Sequence, residues 1–156
     1  MAADALKAKG LEITCVEVDH DLCEQLVRRG HHAVQTPAEL DDDSVDRIYS
    51  LNVLEHIDDD IAALNALTPK LRRGGRCLIY VPAFPKLLSE IDRQVGHHRR
   101  YTGASLRSVI EDAGLRIERL AYADSPGFLG ASPTASLGEA VEQSGAHRHS
   151  GVRHKG

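Results

Sequence analysis

Short β-branched apolar runs that alternate with helical stretches predict an α/β fold: a mainly parallel sheet with helices on both faces. Three observations carry this. Leu11 to Val18 (LEITCVEV) is apolar and β-branched enough for a buried strand, and helical composition precedes and follows it. Glycines stand where the helical patterns end, at Gly10, Gly30, Gly74-Gly75 and Gly114. The connections are as short as those of βαβ units, which favours neighbouring parallel strands.

Ala2 to Lys9 reads as a first helix, and Asp19 or Asp21 caps a second that runs through Leu22, Leu26 and Val27. A short strand, His32 to Gln35, follows. Thr36 to Ser44 is polar, with one proline and three consecutive aspartates, and reads as a loop before the strand Val45 to Leu51. Asp58 to Asp60 open a helix whose apolar positions Ile61, Leu64, Leu67 and Leu71 recur at helical spacing; Gly74-Gly75 is expected to stop it before the strand Arg76 to Val81. An irregular stretch from Pro82 to Tyr101 leads to a helix from Thr102 to Ala113 and a strand from Leu115 to Tyr122. From Pro126 onward Ser, Gly, Ala and His dominate without a period, so 1–125 is expected to be the domain and 126–156 a disordered tail.

With 156 residues, 42% hydrophobic, the chain suits one domain. A net charge of −4 lacks the positive excess of a sequence-independent nucleic-acid binder, so no nucleic-acid partner is expected. No apolar run reaches the roughly 18 residues of a membrane span, and Met1 is followed by a polar helical pattern. No membrane partner and a cytoplasmic location are therefore expected. Cys15, Cys23 and Cys77 lack metal-type pairing and read as core thiols.

In open parallel sheets ligands sit beyond the carboxyl ends of the strands. The first strand ends in Glu17-Val18-Asp19, where an acid can accept both hydroxyl protons of a ribose; a helix cap or a solvated acid is the competing reading. The strand Val45 to Leu51 runs into Asn52-Val53-Leu54-Glu55-His56-Ile57, and further on stand Gly74-Gly75 and Val81-Pro82. The succession VDRIYSLNVLEHIDD…LRRGGRCLIYVPA resembles the central part of class I S-adenosylmethionine-dependent methyltransferases, the type 11 and type 12 methyltransferase domains. The stretch Asp92 to Tyr101 (DRQVGHHRRY) is similar to one subset of these enzymes, and the resemblance extends from about Ala2 to Phe128.

That resemblance implies a Rossmann-like sheet and S-adenosylmethionine as cofactor. It assigns Glu17 and Val18 to the ribose side, the loop Thr36, Ala38 and Glu39 to the adenine, and Ser50, Leu51 and Asn52 to the wall beside the methionine moiety. The sequence departs from the family in three places. The family's first strand and its G-x-G-x-G turn have no counterpart before the helix at Met1, and the family's last strand has none in the tail, so the sheet is expected to be incomplete. Met1 is expected to be an internal methionine of the first helix. Thr36-Pro37 stands where relatives carry Gly-Asp, which weakens adenine recognition.

His97, His98, Arg100 and Tyr101 are the candidates for catalysis, since methyl transfer is an in-line displacement in which the protein aligns the acceptor and removes its proton. Histidine titrates in the right range, and Arg99 with Arg100 suits an acidic substrate group. The competing reading pairs the arginines with Asp92 or Glu90 and leaves the histidines on the surface. Glu55 and His56 read as residues of a helix entry. No metal site is expected: Asp41 to Asp43 and Asp58 to Asp60 are consecutive carboxylates without calcium-loop spacing, and His147, His149 and His154 lie in the tail.

The expected function is methyl transfer to a small-molecule acceptor. The alternative is a catalytically inactive remnant that self-associates through exposed sheet edges. A nicotinamide-binding domain shares the acidic strand end and leaves LEHI and Gly74-Gly75 unexplained.

Overall fold

The computed structural model describes residues 2–122 and 138–144. The chain divides into two compact units, Met1–Asp41 and Asp42–Gly156.

Met1–Asp41 contains α1 (Ala2–Lys7), β1 (Thr14–Val16), α2 (His20–Arg28) and β2 (His32–Val34). β1 and β2 are parallel, in register from Thr14–His32 to Val16–Val34. Asp19 is the residue that caps α2, its carboxylate accepting from the Leu22 amide at 2.9 Å; Asp21 lies in the first turn, where a negative charge complements the helix dipole. The helix closes with Gly30 donating to the Val27 carbonyl and His31 to that of Leu26. Asp4 ties α1 to this end of α2, since its two oxygens take Arg29 and the buried His31 at 2.9 Å each. β1 is shorter than the apolar run that announced it, because only three of its residues find ladder partners in β2, and Val18 is 83% exposed.

Asp42–Gly156 contains β3 (Val45–Leu51), α3 (Asp60–Leu67), β4 (Leu71–Pro82), α4 (Glu90–Gln94), α5 (Gly103–Asp112), β5 (Arg116–Tyr122) and β6 (Gly138–Ser144). Its sheet has the order β3-β4-β6-β5, with β3 parallel to β4 and β6 antiparallel to both of its neighbours. The α/β class is as the sequence predicts, and among the described residues no ladder joins this sheet to the β1–β2 pair.

β6 corrects the reading of the tail. Residues 126–156 read as disordered and without the family's last strand, yet Gly138–Ser144 pairs with both β4 and β5, Val141 lying opposite Ile79 and Leu120. Its sequence, GEAVEQS, holds a single β-branched residue, so propensity gave no signal; ladders on both sides supply what intrinsic preference lacks. The rest of the tail lies outside the described residues.

The helix after β3 also ends earlier than its periodicity implies. α3 stops at Leu67, a 3-10 turn over Thr68–Lys70 follows, and β4 starts at Leu71. Pro69 in that turn has no amide proton to continue the helix. Gly74 and Gly75 lie inside β4, in a bulge between the pairs Val45–Leu71 and Arg47–Arg76. A Cβ on Gly75 would stand 2.9 Å from the Arg72 carbonyl oxygen and 3.0 Å from that of Asp46, so the glycine is there for close backbone approach.

The core of this unit joins Cys77, Ile79 and Val81, alternate residues of β4, to Leu64 of α3 and to Leu106 and Ile110 of α5. Leu54, Leu71, Tyr101, Ala113 and Leu115 complete it. Each large apolar side chain buried here contributes about 1.5–3 kcal/mol. Anchoring Leu54 and Tyr101 in the core fixes the two loops that follow β3 and β4, and those loops carry the polar residues described below. Cys23 and Cys77 are buried free thiols, as expected, and burial pushes Cys77 up to about 12. No helix among the described residues is long and apolar enough to cross a membrane.

Candidate functional site

Within Met1–Asp41 the predicted cofactor residues lie just past the ends of β1 and β2. The Glu17 amide donates to the Val34 carbonyl at 2.9 Å, which extends the ladder by one bond. One Glu17 oxygen accepts from the Asp19 amide at 3.0 Å, which holds the carboxylate at the strand end. Val18 beside it is exposed. Thr36 caps the short turn Pro37–Glu39, accepting from the Ala38 amide at 3.3 Å. Glu39 turns back to take the amides of Gln35 and Thr36, each at 2.9 Å, so its charge is spent on shaping the loop. Within Asp42–Gly156, Ser50 is buried near the end of β3, Leu51 is exposed, and Asn52 turns the chain at φ +52 with its amide on the Tyr80 carbonyl at 2.8 Å.

The predicted catalytic stretch is organised by one acid. Asp92 is buried at the third position of α4, where it forms a capping box with Ser89. One of its oxygens accepts from the Ser89 amide and hydroxyl, both at 2.7 Å. The other accepts from Arg100 Nη2 at 2.7 Å, Arg100 Nε at 3.1 Å and His97 Nδ1 at 3.0 Å. Burial pushes this carboxyl up, but the Arg100 guanidinium and the Ser89 donors outweigh it and hold Asp92 well below the usual carboxylate range. α4 closes through Gly96 at φ +82, whose amide reaches the Arg93 carbonyl while the His97 amide reaches that of Asp92 at 2.8 Å. The same closure folds the His97 ring back over the Asp92 side chain.

Opposite lies the 3-10 turn Leu54–His56. The His98 amide donates to the Glu55 carbonyl at 2.8 Å and joins the two loops. His56 donates from Nδ1 to the Gly96 carbonyl at 3.1 Å, and its ring stands edge-on to that of His97 with centroids 4.7 Å apart. Glu55 is fully buried, and among the described residues neither of its carboxylate oxygens has a hydrogen-bond partner. Its Oε1 stands 4.0 Å from His97 Nε2. Burial raises the Glu55 carboxyl above the ordinary glutamate value, against weaker opposing effects that include the nearby histidines and Arg100. An acceptor left unpaired in this way costs about 1–3 kcal/mol.

The remaining predicted residues take supporting places. Tyr101 is 2% exposed and donates to an Asp60 oxygen at 2.8 Å; burial first, and then the Asp60 carboxylate, raise the phenol above its ordinary value. Arg99 reaches the same Asp60 oxygen at 3.0 Å and the Asp58 carbonyl at 2.6 Å. His98 pairs with the Asp58 carboxylate at 3.0 Å on the surface. The three consecutive aspartates thus do different work: Asp58 meets His98, Asp59 caps α3 through the Ala62 amide at 2.8 Å, and Asp60 is buried on Arg99 and Tyr101. Sequence reasoning made all three a solvated helix entry. Glu55, weighed as a helix-entry residue and as a contact to cofactor or substrate, stands before α3 and is enclosed by the loops, not set on the helix dipole. The placement of LEH between a strand that ends in the core and a glycine-histidine loop was the available signal.

Comparison with known proteins adds the following. A family model described as a methyltransferase domain matches residues 1–120. No curated protein matches the chain. A solved S-adenosylmethionine-dependent methyltransferase from Methanosarcina mazei superposes with a TM-score of 0.72 at 11% identity, over 92% of this chain and 86% of that one. Another from Archaeoglobus fulgidus gives 0.67 at 15% identity, over 92% and 80%. The 1,6-didemethyltoxoflavin-N1-methyltransferase of Burkholderia thailandensis, solved with 1,6-didemethyltoxoflavin and S-adenosylhomocysteine, gives 0.66 at 15% identity, over 93% of this chain and 66% of that one.

Proposed function

We propose a reaction for a chain that belongs to the class I S-adenosylmethionine-dependent methyltransferases: transfer of a methyl group from S-adenosylmethionine to a small-molecule acceptor whose proton is taken at His97. The donor set fits the cofactor. Glu17, fixed by the Asp19 amide, suits the paired hydroxyls of a ribose. The loop Thr36–Glu39 would border the adenine, and Ser50, Leu51 and Asn52 the methionine side. When bound, S-adenosylmethionine supplies an electrophilic methyl on a sulfonium; the work left to the protein is alignment and proton removal.

The observation that carries the reading is the Asp92–His97 pair. Because Asp92 is ionised and only accepts, His97 carries its proton on Nδ1 and presents the lone pair of Nε2. An acceptor hydroxyl or ammonium group meeting Nε2 can pass its proton there as the methyl bond forms. Asp92 then stabilises the imidazolium, and Arg100 keeps Asp92 in place.

The test is calorimetric titration of the full chain with S-adenosylmethionine, followed by turnover with candidate acceptors. Micromolar-range binding that is lost in Glu17→Ala is expected; absence of binding by the unaltered chain would instead establish the inactive remnant. In an active preparation His97→Ala lowers turnover far more than cofactor affinity. Unchanged turnover would remove His97 from the reaction.

A further inference from the structure

The Glu55 carboxylate presents an incompleteness that proton transfer at His97 does not explain. It is fully enclosed, both oxygens lack hydrogen-bond partners among the described residues, and His97 Nε2 stands 4.0 Å from one of them. A buried carboxyl stays ionised only where it is paired with donors or coordinates a metal; otherwise it takes up a proton.

The two histidines are prepared in the way metal ligands are. His56 points Nδ1 at the Gly96 carbonyl and His97 points Nδ1 at the Asp92 carboxylate. Both partners only accept, so both rings are protonated on Nδ1 when neutral and expose the Nε2 lone pair. A carbonyl or carboxylate behind the distal nitrogen fixes the tautomer and ring plane of a ligating histidine and raises its basicity. One ligand atom from each of Glu55, His56 and His97 lies within 4.8 Å of the others. In a tetrahedral zinc site, with bonds of about 2.0–2.2 Å, such atoms are about 3.4 Å apart, so the set needs a contraction of up to about 1.4 Å. His56 is exposed and gives an ion a way in.

We infer that Glu55, His56 and His97 form a binding site for one divalent transition-metal ion of the zinc class. Two imidazoles and one carboxylate match zinc better than calcium or magnesium, which prefer all-oxygen sites. Three protein ligands leave a position for a further oxygen ligand, so the site has the open form of a reactive centre. The inference shares His97 with the proposed base: an ion on Nε2 occupies the lone pair that would take the acceptor's proton. Metal loading and proton transfer at that atom are therefore competing states.

The test uses cobalt(II) as a spectroscopic stand-in for zinc and needs no methyl donor, so its outcome is independent of whether methyl transfer occurs. The tail histidines would confuse it, and the full chain is therefore prepared with His147→Ala, His149→Ala and His154→Ala. After chelator treatment, cobalt should bind one equivalent per chain with the visible absorption of a four- or five-coordinate ion, and zinc should displace it. Glu55→Gln, which keeps the shape of the side chain, should weaken binding by about a hundredfold or more, at or above the top of the range for loss of a supporting residue. His56→Gln should do the same, while His20→Ala, on the exposed face of α2, should change nothing. Circular dichroism confirms that each variant is folded. Absence of cobalt absorption in the tail-substituted chain overturns the inference, and so does wild-type affinity in both Glu55→Gln and His56→Gln.

Discussion

Asp92 and Glu55 are two buried acids facing the same histidine, and their surroundings differ in kind. Asp92 spends both oxygens on Ser89, Arg100 and His97. Among the described residues Glu55 has no hydrogen-bond donor on either oxygen. Asp92 is consequently held ionised and Glu55 is pushed toward the neutral acid, although both are shut away from water. Burial alone therefore does not set the state of a carboxyl; the donors around it do. The acid with a complete set of partners builds the loop, and the acid without them keeps its coordinating capacity for something else.

The largest effect that would break this contrast comes from Asp92. Asp92→Ala leaves the largely buried Arg100 guanidinium without its carboxylate and is expected to cost about 3–5 kcal/mol in denaturant unfolding. Its lowered pKa gives the pH signature. The Asp92 contribution is complete above the unfolded value of 3.8 and is lost as the pH falls toward the folded value, so the wild type should lose an increment of stability in acid that the variant lacks. A variant as stable as the wild type near neutral pH would mean that the capping box and ion pair are dispensable. Tyr101→Phe comes next. It removes one donor from Asp60 and leaves Arg99, so a cost of about 1–3 kcal/mol is expected, with the rest of the network intact.

How far the sequence anticipated these residues depends on the range of the interactions. α2, α5 and β5 were legible because caps, glycine closures and periodic apolar residues act within one element; Thr102, for example, accepts from the Ser105 amide three positions on. β6 was not, because GEAVEQS becomes a strand through partners in β5 and β4, far outside the segment itself. The DRQVGHHRRY stretch was recognised as a unit, and the pairing of Arg100 with Asp92 was among the readings weighed. What could not be read was that Asp60 would be buried by Arg99 and Tyr101, or that Glu55 would be left unpaired, since both follow from one loop folding over another. The family was legible for the opposite reason, as its motifs are contiguous.

Glu55→Gln gives the smallest effect and the sharpest reading of the contrast. A carboxyl whose folded pKa is raised contributes its stability fully below the unfolded value of 4.5 and loses it as pH rises through the folded value. The metal-free wild type should therefore weaken as the pH rises above 4.5, while Glu55→Gln, which has no proton to lose, should not. At pH 8 the variant is expected to be the more stable by something on the order of 1 kcal/mol, and near pH 4 the two should melt together. Adding zinc should reverse the order at pH 8, because only the wild type keeps the carboxylate that offsets the ion's charge, and binding to the folded state alone raises its melting temperature. Thermal melts at both pH values, with and without zinc, measure all of this on one pair of proteins. Parallel melting curves throughout would mean that Glu55 is already satisfied in solution, and the difference between the two acids would then reduce to which one the loops happen to enclose.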